Sequence, residues 1–403
     1  MSGGDVSDFD TMLAELTQKD SPKVHGVIMK CVDKNGSKTL YSKVAGYDSV
    51  LPDAVPLHED VVLKLASSTK LITSIALLQC VEKGLIGLDE SLTKVLPEFD
   101  GRDILKDIVG SELKLEKNTT PLTARHLLTQ TSGLGYPFLN PLLNRREQIL
   151  KQGRTSNHVT EKYDLPLTFE PGTGWQYGCN LDWAGLVVSR LNGGMTLQEY
   201  FVENIWKRVG LSAPFPTFNI EKKPEYDALK MKMSLQAEDG KLEHLDRLPF
   251  DDAVAQNGGE GLAGRAGDIM AVLVDLISDT PKLLQSETIS AMYTPQLPPG
   301  SKSHQMLTQM RPAWEIVCGP IAEEGVNYGF AGAICLAPVP ELSQPANMIG
   351  WGGASNNIWW VNRELGISGF FATQQTPFGN PTVTKLADAW KKDFWTQYDA
   401  GKL

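Results

Sequence analysis

Histidine and cysteine are scarce in this chain, and neither is arranged for the chemistry it usually brings. The six histidines among 403 residues make no His-Glu-x-x-His pattern or other metal-ligand spacing, which argues against a metallohydrolase. His126 is one candidate base for a serine, but no Gly-x-Ser-x-Gly elbow accompanies it. A structural, hydrogen-bonding histidine is the simpler reading. The five cysteines, Cys31, Cys80, Cys179, Cys318 and Cys335, are odd in number and scattered. Without Cys-x-x-Cys spacing they fit a reduced cytosolic protein with neither a disulfide frame nor structural zinc. No apolar run reaches the ~18 residues of a membrane span. The N-terminus, MSGGDVSDFDTML, has neither the basic nor the apolar region of a secretory signal. Positive charge is short as well. Lys plus Arg is 38 against 48 Asp plus Glu, a net charge of -10, which disfavours nucleic acid or an anionic membrane as partner. Internal repeats and low-complexity tracts are absent too.

What is present is enough apolar residue, 41%, for a sizeable core, in a chain longer than a single core usually serves. Asp5 to Lys19 reads as a short amphipathic helix. VHGVIMKCVDKNGSKTLYSKVAG reads as a hairpin around the Asn35-Gly36 turn signal. LASSTKLITSIALLQC, from Leu65, reads as a buried helix closed by Gly84. From about residue 90 to 320 strand signals are few, and LDWAGLVVSRLNGG and GDIMAVLVDLISD are the clearest helices. Strand patterns return in NYGFAGAICLA, NMIGWGGASN and NIWWVNRELGISGFFATQQ, about three strands. An amphipathic helix, TVTKLADAWKKDFWTQY, ends the chain.

Antiparallel strands at both ends of a chain need partners and tend to share a sheet. The expectation is therefore an α+β fold, an antiparallel sheet flanked by helices with an inserted helical lobe. Residues 1–88 and 322–403 form the sheet lobe and 89–321 the mainly helical lobe, with the active-site cleft between them.

The helix at Leu65 opens with two serines, a threonine and a lysine. Ser67 and Lys70 are three apart and so share a face. A serine hydroxyl needs a base to become a nucleophile, and a lysine amine serves as one where burial and positive potential lower its pKa. The helix N-terminus supplies positive potential and free N–H groups, so the N–H of Ser67 is one half of a candidate oxyanion hole. The alternative is that Ser67 or Ser68 caps the helix and Lys70 reaches solvent. Against it, the helix is apolar on nearly every face after Lys70. The Gly-rich run Asn257 to Gly264 suggests a nucleotide loop only weakly, since no clear strand precedes it.

Four further stretches stand in order along the chain: RHLLTQTSGL from Arg125, GWQYGCNLDWAG from Gly174, NGGEGLAGRAGDI from Asn257 and GWGGASN from Gly350. With Ser-x-x-Lys they resemble the motifs of the serine β-lactamase-like superfamily, which holds class C β-lactamases, D-alanyl-D-alanine carboxypeptidases and related serine carboxylesterases. The resemblance spans roughly residues 5 to 398. Within the superfamily, the YGxNLDWAG-type stretch and the glycine run are most similar to the fungal acyltransferase of the lovastatin pathway.

This resemblance implies Ser67 as the acylated nucleophile, Lys70 as its base partner and Tyr177 as the tyrosine that exchanges protons with them. It also implies the N–H of Ala354 as the second oxyanion donor, with Gly353 next in register. Two positions depart from the common pattern. The asparagine after Tyr177 is Asn180, one residue later than in many relatives. Trp351-Gly352-Gly353 stands where Lys-Thr-Gly is frequent, so an anion-binding lysine is replaced by an aromatic surface. That favours esters and acyl acceptors with large apolar bodies over penicillins. Asn180, Trp351, Gly352, Gly353, Tyr136 and Trp314 are the candidate substrate-binding residues; for the aromatic ones a core role is the alternative. The expected activity is ping-pong acyl transfer. It runs from a thioester or ester, the thioester on a polyketide-synthase carrier domain, to the hydroxyl of a small polyketide-type acceptor. A carboxylesterase or β-lactamase-like hydrolase is the alternative. No metal or other cofactor is implied, and a cytoplasmic location is.

Overall fold

The computed structural model describes residues 7–34, 36, 38–150, 158–247 and 256–403. Its centre is a seven-stranded antiparallel sheet. The strands are β1 (Gly26–Asp33), β2 (Thr39–Gly46), β3 (Val326–Tyr328), β4 (Ala333–Cys335), β5 (Met348–Gly353), β6 (Asn357–Asn362) and β7 (Ile367–Ala372), in the spatial order β2-β1-β7-β6-β5-β4-β3. The sheet is thus built only from the two ends of the chain. β1 closes it against β7 in the register Met29↔Phe371. Every residue of β5, β6 and β7 is buried, so both faces of the sheet are covered at these strands, which are correspondingly rich in apolar residues. The C-terminal helix Pro381–Asp399 lays Trp390, Phe394 and Trp395 around Trp360 of β6, at ring distances of 6.1, 5.8 and 5.3 Å.

The antiparallel sheet with flanking helices is as expected. The sheet takes five strands from the C-terminal region rather than about three, because NIWWVNRELGISGFFATQQ folds back on itself as β6 and β7 and NYGFAGAICLA is not one strand either. It turns at Gly329–Gly332 and forms β3 and β4. The N-terminal helix is Asp8–Leu16, shorter than expected; Asp5 and Asn35 lie outside the described residues. Gly84, at φ +67°, follows the end of helix Thr69–Glu82 in the left-handed conformation that glycine adopts freely.

The middle of the chain departs further from its expected division. It carries a hairpin, Asp103–Val109 with Glu112–Lys117. A second pair, Met233–Gln236 with Leu242–Leu245, is joined by Gln375–Thr376. Helix Ala266–Ile277, from the stretch assigned to the helical lobe, packs on β7, β1 and β6, and helix Arg311–Cys318 packs on β5. A boundary at residues 88 and 322 therefore cuts across elements that belong to the sheet's cover. The reason is physical: both strip-like faces of these helices are apolar enough to need the sheet. Among the described residues, no helix is long and apolar enough to cross a membrane.

Candidate active site

Helix Thr69–Glu82 is buried from Thr69 to Cys80, as its all-round apolar sequence requires. Ser67 is not in that helix but in the 3-10 turn Ala66–Ser68 leading into it. Ala66 takes a positive φ of 45°, a costly conformation for a residue with a side chain. The surroundings hold it there. The Ser355 hydroxyl donates to the Lys64 carbonyl at 2.8 Å, the Asn357 amide donates to the Lys64 and Leu65 carbonyls at 3.3 and 3.2 Å, and Ser68 donates to Asn357. The end of β5 is thus laced to the turn that carries Ser67. The fit is so close that a Cβ on Gly353 would lie 2.3 Å from the Leu65 carbonyl oxygen. Neither the Ser67 N–H nor the Ala354 N–H has a partner among the described residues, and both residues are only partly buried. Two unpaired donors on interlocked turns suit an oxyanion.

Lys70 is 1% exposed. Its Nζ lies within hydrogen-bond reach of Ser67 Oγ at 3.1 Å, of the Tyr136 hydroxyl at 3.3 Å and of the Gly259 carbonyl, to which it donates, at 2.8 Å. The reading in which Lys70 reaches solvent is thereby excluded. Nζ also lies over the Tyr177 ring, 4.7 Å from its centroid, a cation–π distance. The Tyr177 hydroxyl makes no hydrogen bond to Ser67 or Lys70; it accepts from Trp351 Nε1 at 3.3 Å. Tyr177 is half-buried, while Tyr136 is buried behind it. The two rings meet edge to face at 5.8 Å. Their loops approach so closely that a Cβ on Gly178 would sit 2.1 Å from the Leu134 carbonyl oxygen.

The remaining candidates divide. Tyr136 belongs to the polar cluster rather than to a simple cleft wall. Trp351 is 3% exposed and wedged between Tyr177 and Tyr328, at ring distances of 5.3 and 5.5 Å. It offers its N–H to Tyr177 and little surface to a substrate. Gly352 lies in the wall beside Phe378. Asn180 and Trp314 require correction as substrate-binding residues, because both are inside the fold. Asn180 Nδ2 donates to Gln130 Oε1 at 2.7 Å and to the Leu134 carbonyl at 3.1 Å, and its Oδ1 accepts from Ser132 at 2.5 Å. Its amide is spent on tying the Gln130–Leu134 loop to the Tyr177 loop. Trp314 is fully buried and donates to the Leu307 carbonyl at 3.2 Å. His126 lies against Gly172 and makes no hydrogen bond to Ser67. The glycines at 258 and 259 serve close packing: a Cβ on Gly258 would meet the Leu181 carbonyl oxygen at 2.4 Å, and one on Gly259 would meet Asp182 Oδ2 at 2.5 Å.

Sequence reasoning missed the acidic half of the site. Asp182, fully buried at the start of helix Asn180–Leu191, accepts from the Tyr136 hydroxyl at 3.0 Å and from the Gly259 N–H at 3.0 Å. Burial, then the nearby Glu260 charge, pushes its carboxyl up to about 7, against the pull of Lys70 and Lys162. Glu260 accepts from Lys162 at 2.5 Å and Tyr163 at 3.0 Å. Burial and the Asp182 charge hold the Tyr136 phenol well above its usual range. A carboxylate between Leu181 and Trp183 in an apolar helix was the available signal, since buried acids are rare without a task.

A beta-lactamase family model matches residues 21–389. The chain belongs to the beta-lactamase family. It is 58% identical to acyltransferase calJ of Penicillium decumbens, over 98% of this chain and 99% of that protein. It is 31% identical to monacolin J acid methylbutanoyltransferase of Aspergillus terreus, over 94% of each. Among solved structures, a mutant of simvastatin synthase from Aspergillus terreus superposes with a TM-score of 0.87 at 30% identity, covering 98% of this chain and 95% of that one. The family's fold is the antiparallel sheet with flanking helices described above.

Proposed function

We propose that this enzyme is a serine acyltransferase that carries an acyl group on Ser67, from a thioester or ester donor to a hydroxyl of a small polyketide-type acceptor. The observation that carries the reading is the buried Lys70 side-chain nitrogen 3.1 Å from the hydroxyl of the partly exposed Ser67. The acyltransferase relatives, which match 98% and 94% of the chain, support the choice of reaction.

Ser67 Oγ attacks the acyl carbon and its proton passes to the neutral Lys70 amine. The carbonyl oxygen gathers negative charge between the Ser67 and Ala354 N–H groups. Tyr177, the phenol on the open side, gives a proton to the departing sulfur or oxygen and regains one from the incoming acceptor hydroxyl, while Lys70 returns its proton to Ser67. The acceptor hydroxyl enters, returns a proton along the same route, and takes the acyl group. Trp351 holds the Tyr177 oxygen in place.

We further infer that the donor thioester is borne by an acyl-carrier domain. All five cysteines are buried and scattered along the chain, which suits a reducing compartment, and we place the enzyme in the cytosol. The test is partition. With a short-acyl thioester and a polyketide-type alcohol at millimolar concentration, acyl ester should form far in excess of free acid, and Ser67→Ala should form neither. Free acid as the main product at every alcohol concentration would make the enzyme an esterase. A carrier-bound thioester should lower KM relative to the same acyl group on a small thiol.

A further inference from the structure

A neutral lysine amine has two hydrogens and one lone pair. Lys70 Nζ has three neighbours within hydrogen-bond reach: the Gly259 carbonyl, the Tyr136 hydroxyl and Ser67 Oγ. A carbonyl only accepts. If Tyr136 also accepts, both amine hydrogens are used and the lone pair faces Ser67. Tyr136 accepts from Lys70 only while its own hydrogen points elsewhere, and it points at Asp182 Oδ2. The other carboxylate oxygen is fixed by the Gly259 N–H. Hence the carboxylate, which accepts at both oxygens, dictates which way the Tyr136 hydrogen lies.

We propose that Asp182 is a positioning residue that sets the hydrogen-bond polarity of Tyr136, so that the lone pair of neutral Lys70 is aimed at the Ser67 hydroxyl. The inference rests on the acyl-Ser67 reading above. During acylation the Ser67 O–H bond breaks as the Oγ–C bond forms, and the proton joins the Lys70 lone pair. No proton passes to Asp182. The ammonium so formed keeps its hydrogen bond to Tyr136, whose hydroxyl dipole ends on a negative carboxylate. The placement costs stability, because Asp182 is fully buried and touches no cation directly among the described residues. Holding the Gly259 loop would need only one of its oxygens.

Protonated Asp182 can donate to Tyr136. The phenol hydrogen is then free to swing onto the Lys70 lone pair and compete with Ser67. Acylation should therefore rise as Asp182 ionises. The charged and titratable groups facing Asp182 are Lys70, Lys162, Glu260, Tyr136 and Tyr163. Asp182→Asn is the sharpest perturbation. Its single oxygen must satisfy the Gly259 N–H, so its NH2 donates to Tyr136 and turns the phenol hydrogen toward Lys70. Tyr136→Phe removes that hydrogen altogether.

The experiment is the single-turnover acylation rate with an activated short-acyl thioester from pH 5.5 to 9, read by intact mass. It is run on wild type, Asp182→Asn, Tyr136→Phe and the double variant. Wild type should rise through an inflection near neutrality that all three variants lack. Asp182→Asn should be slower by about 100-fold, the lower end of what a positioned base contributes. The double variant should be faster than Asp182→Asn alone, because the misdirected hydrogen is gone. Additive or worse losses in the double variant, with the wild-type pH profile retained in Asp182→Asn, overturn the inference and leave Asp182 a loop anchor. Should Asp182→Asn not fold, loss of the inflection in Tyr136→Phe decides the matter alone. Absence of acyl mass on wild-type Ser67 defeats the proposed function itself, and this inference with it.

Discussion

Replacing Trp351 by Phe tests whether the tryptophan acts through Tyr177. The substitution removes the 3.3 Å N–H donor to the Tyr177 hydroxyl while leaving an aromatic ring between Tyr177 and Tyr328. A neutral hydrogen bond of this kind is worth about 0.5–1.5 kcal/mol net. At about 1.4 kcal/mol per decade that is roughly a 2- to 10-fold loss in acylation rate. The smaller ring also opens space at a buried site, which lowers stability by about 1–3 kcal/mol. Rates must therefore be read well below the melting transition. Tyr177→Phe alone should cost on the order of 100-fold or more. If Trp351 works by holding the Tyr177 oxygen, then Trp351→Phe should add little in the Tyr177→Phe background, since the group it positions is gone. The assay is burst-phase acylation with an activated ester on the two single variants and the double. Full additivity would refute the reasoning and return Trp351 to a packing role.

Other outcomes follow from the same contacts. Because the Asp182 carboxyl is pushed up to about 7 in the fold from an ordinary value of about 3.9, the folded state holds an extra proton between those values. Its contribution to stability is therefore lost as pH rises from about 4 to about 7. Thermal melts of Asp182→Asn should lack that decline, and identical slopes in both proteins would contradict it. Asn180→Ala should destabilise by about 3 kcal/mol in denaturant unfolding, as it strips partners from buried Ser132, Gln130 and Leu134 groups. A change in substrate preference without that loss would restore Asn180 to the substrate. Gly259→Ala forces a Cβ to within 2.5 Å of Asp182 Oδ2 and should move the carbonyl that holds Lys70. Acylation should fall on the order of 100-fold, as misplacement by an ångström does; unchanged rates would mean the loop absorbs the methyl elsewhere.

The sequence reached the sheet because its strands are rich in β-branched, aromatic and other apolar residues and sit at the chain ends. The Asp103–Lys117 hairpin escaped because one of its strands, Glu112–Lys117, is short and nearly all exposed, so its alternating Leu113 and Leu115 mark no buried face. Ser67 and Lys70 were legible because three residues of spacing decide a local geometry. Tyr136 was placed on the cleft wall, since nothing local in LGYPF says that its hydroxyl meets a lysine 66 positions away. Asp182 lay inside the quoted tyrosine stretch yet went unread, because its partners come from the loops at Tyr136 and Gly259. Asn180 was misread for the converse reason: its neighbours satisfy an amide completely, and satisfaction is a property of the fold.

The central claim is that Ser67 carries the acyl group, and the most direct measurement is peptide-level mass spectrometry after incubation with an activated short-acyl thioester. The account predicts one acyl mass per chain, on the peptide bearing Ser67, removed on adding an acceptor alcohol and missing in Ser67→Ala. An unmodified chain under turnover conditions, or an acyl mass that resides on a cysteine and survives in Ser67→Ala, would contradict it.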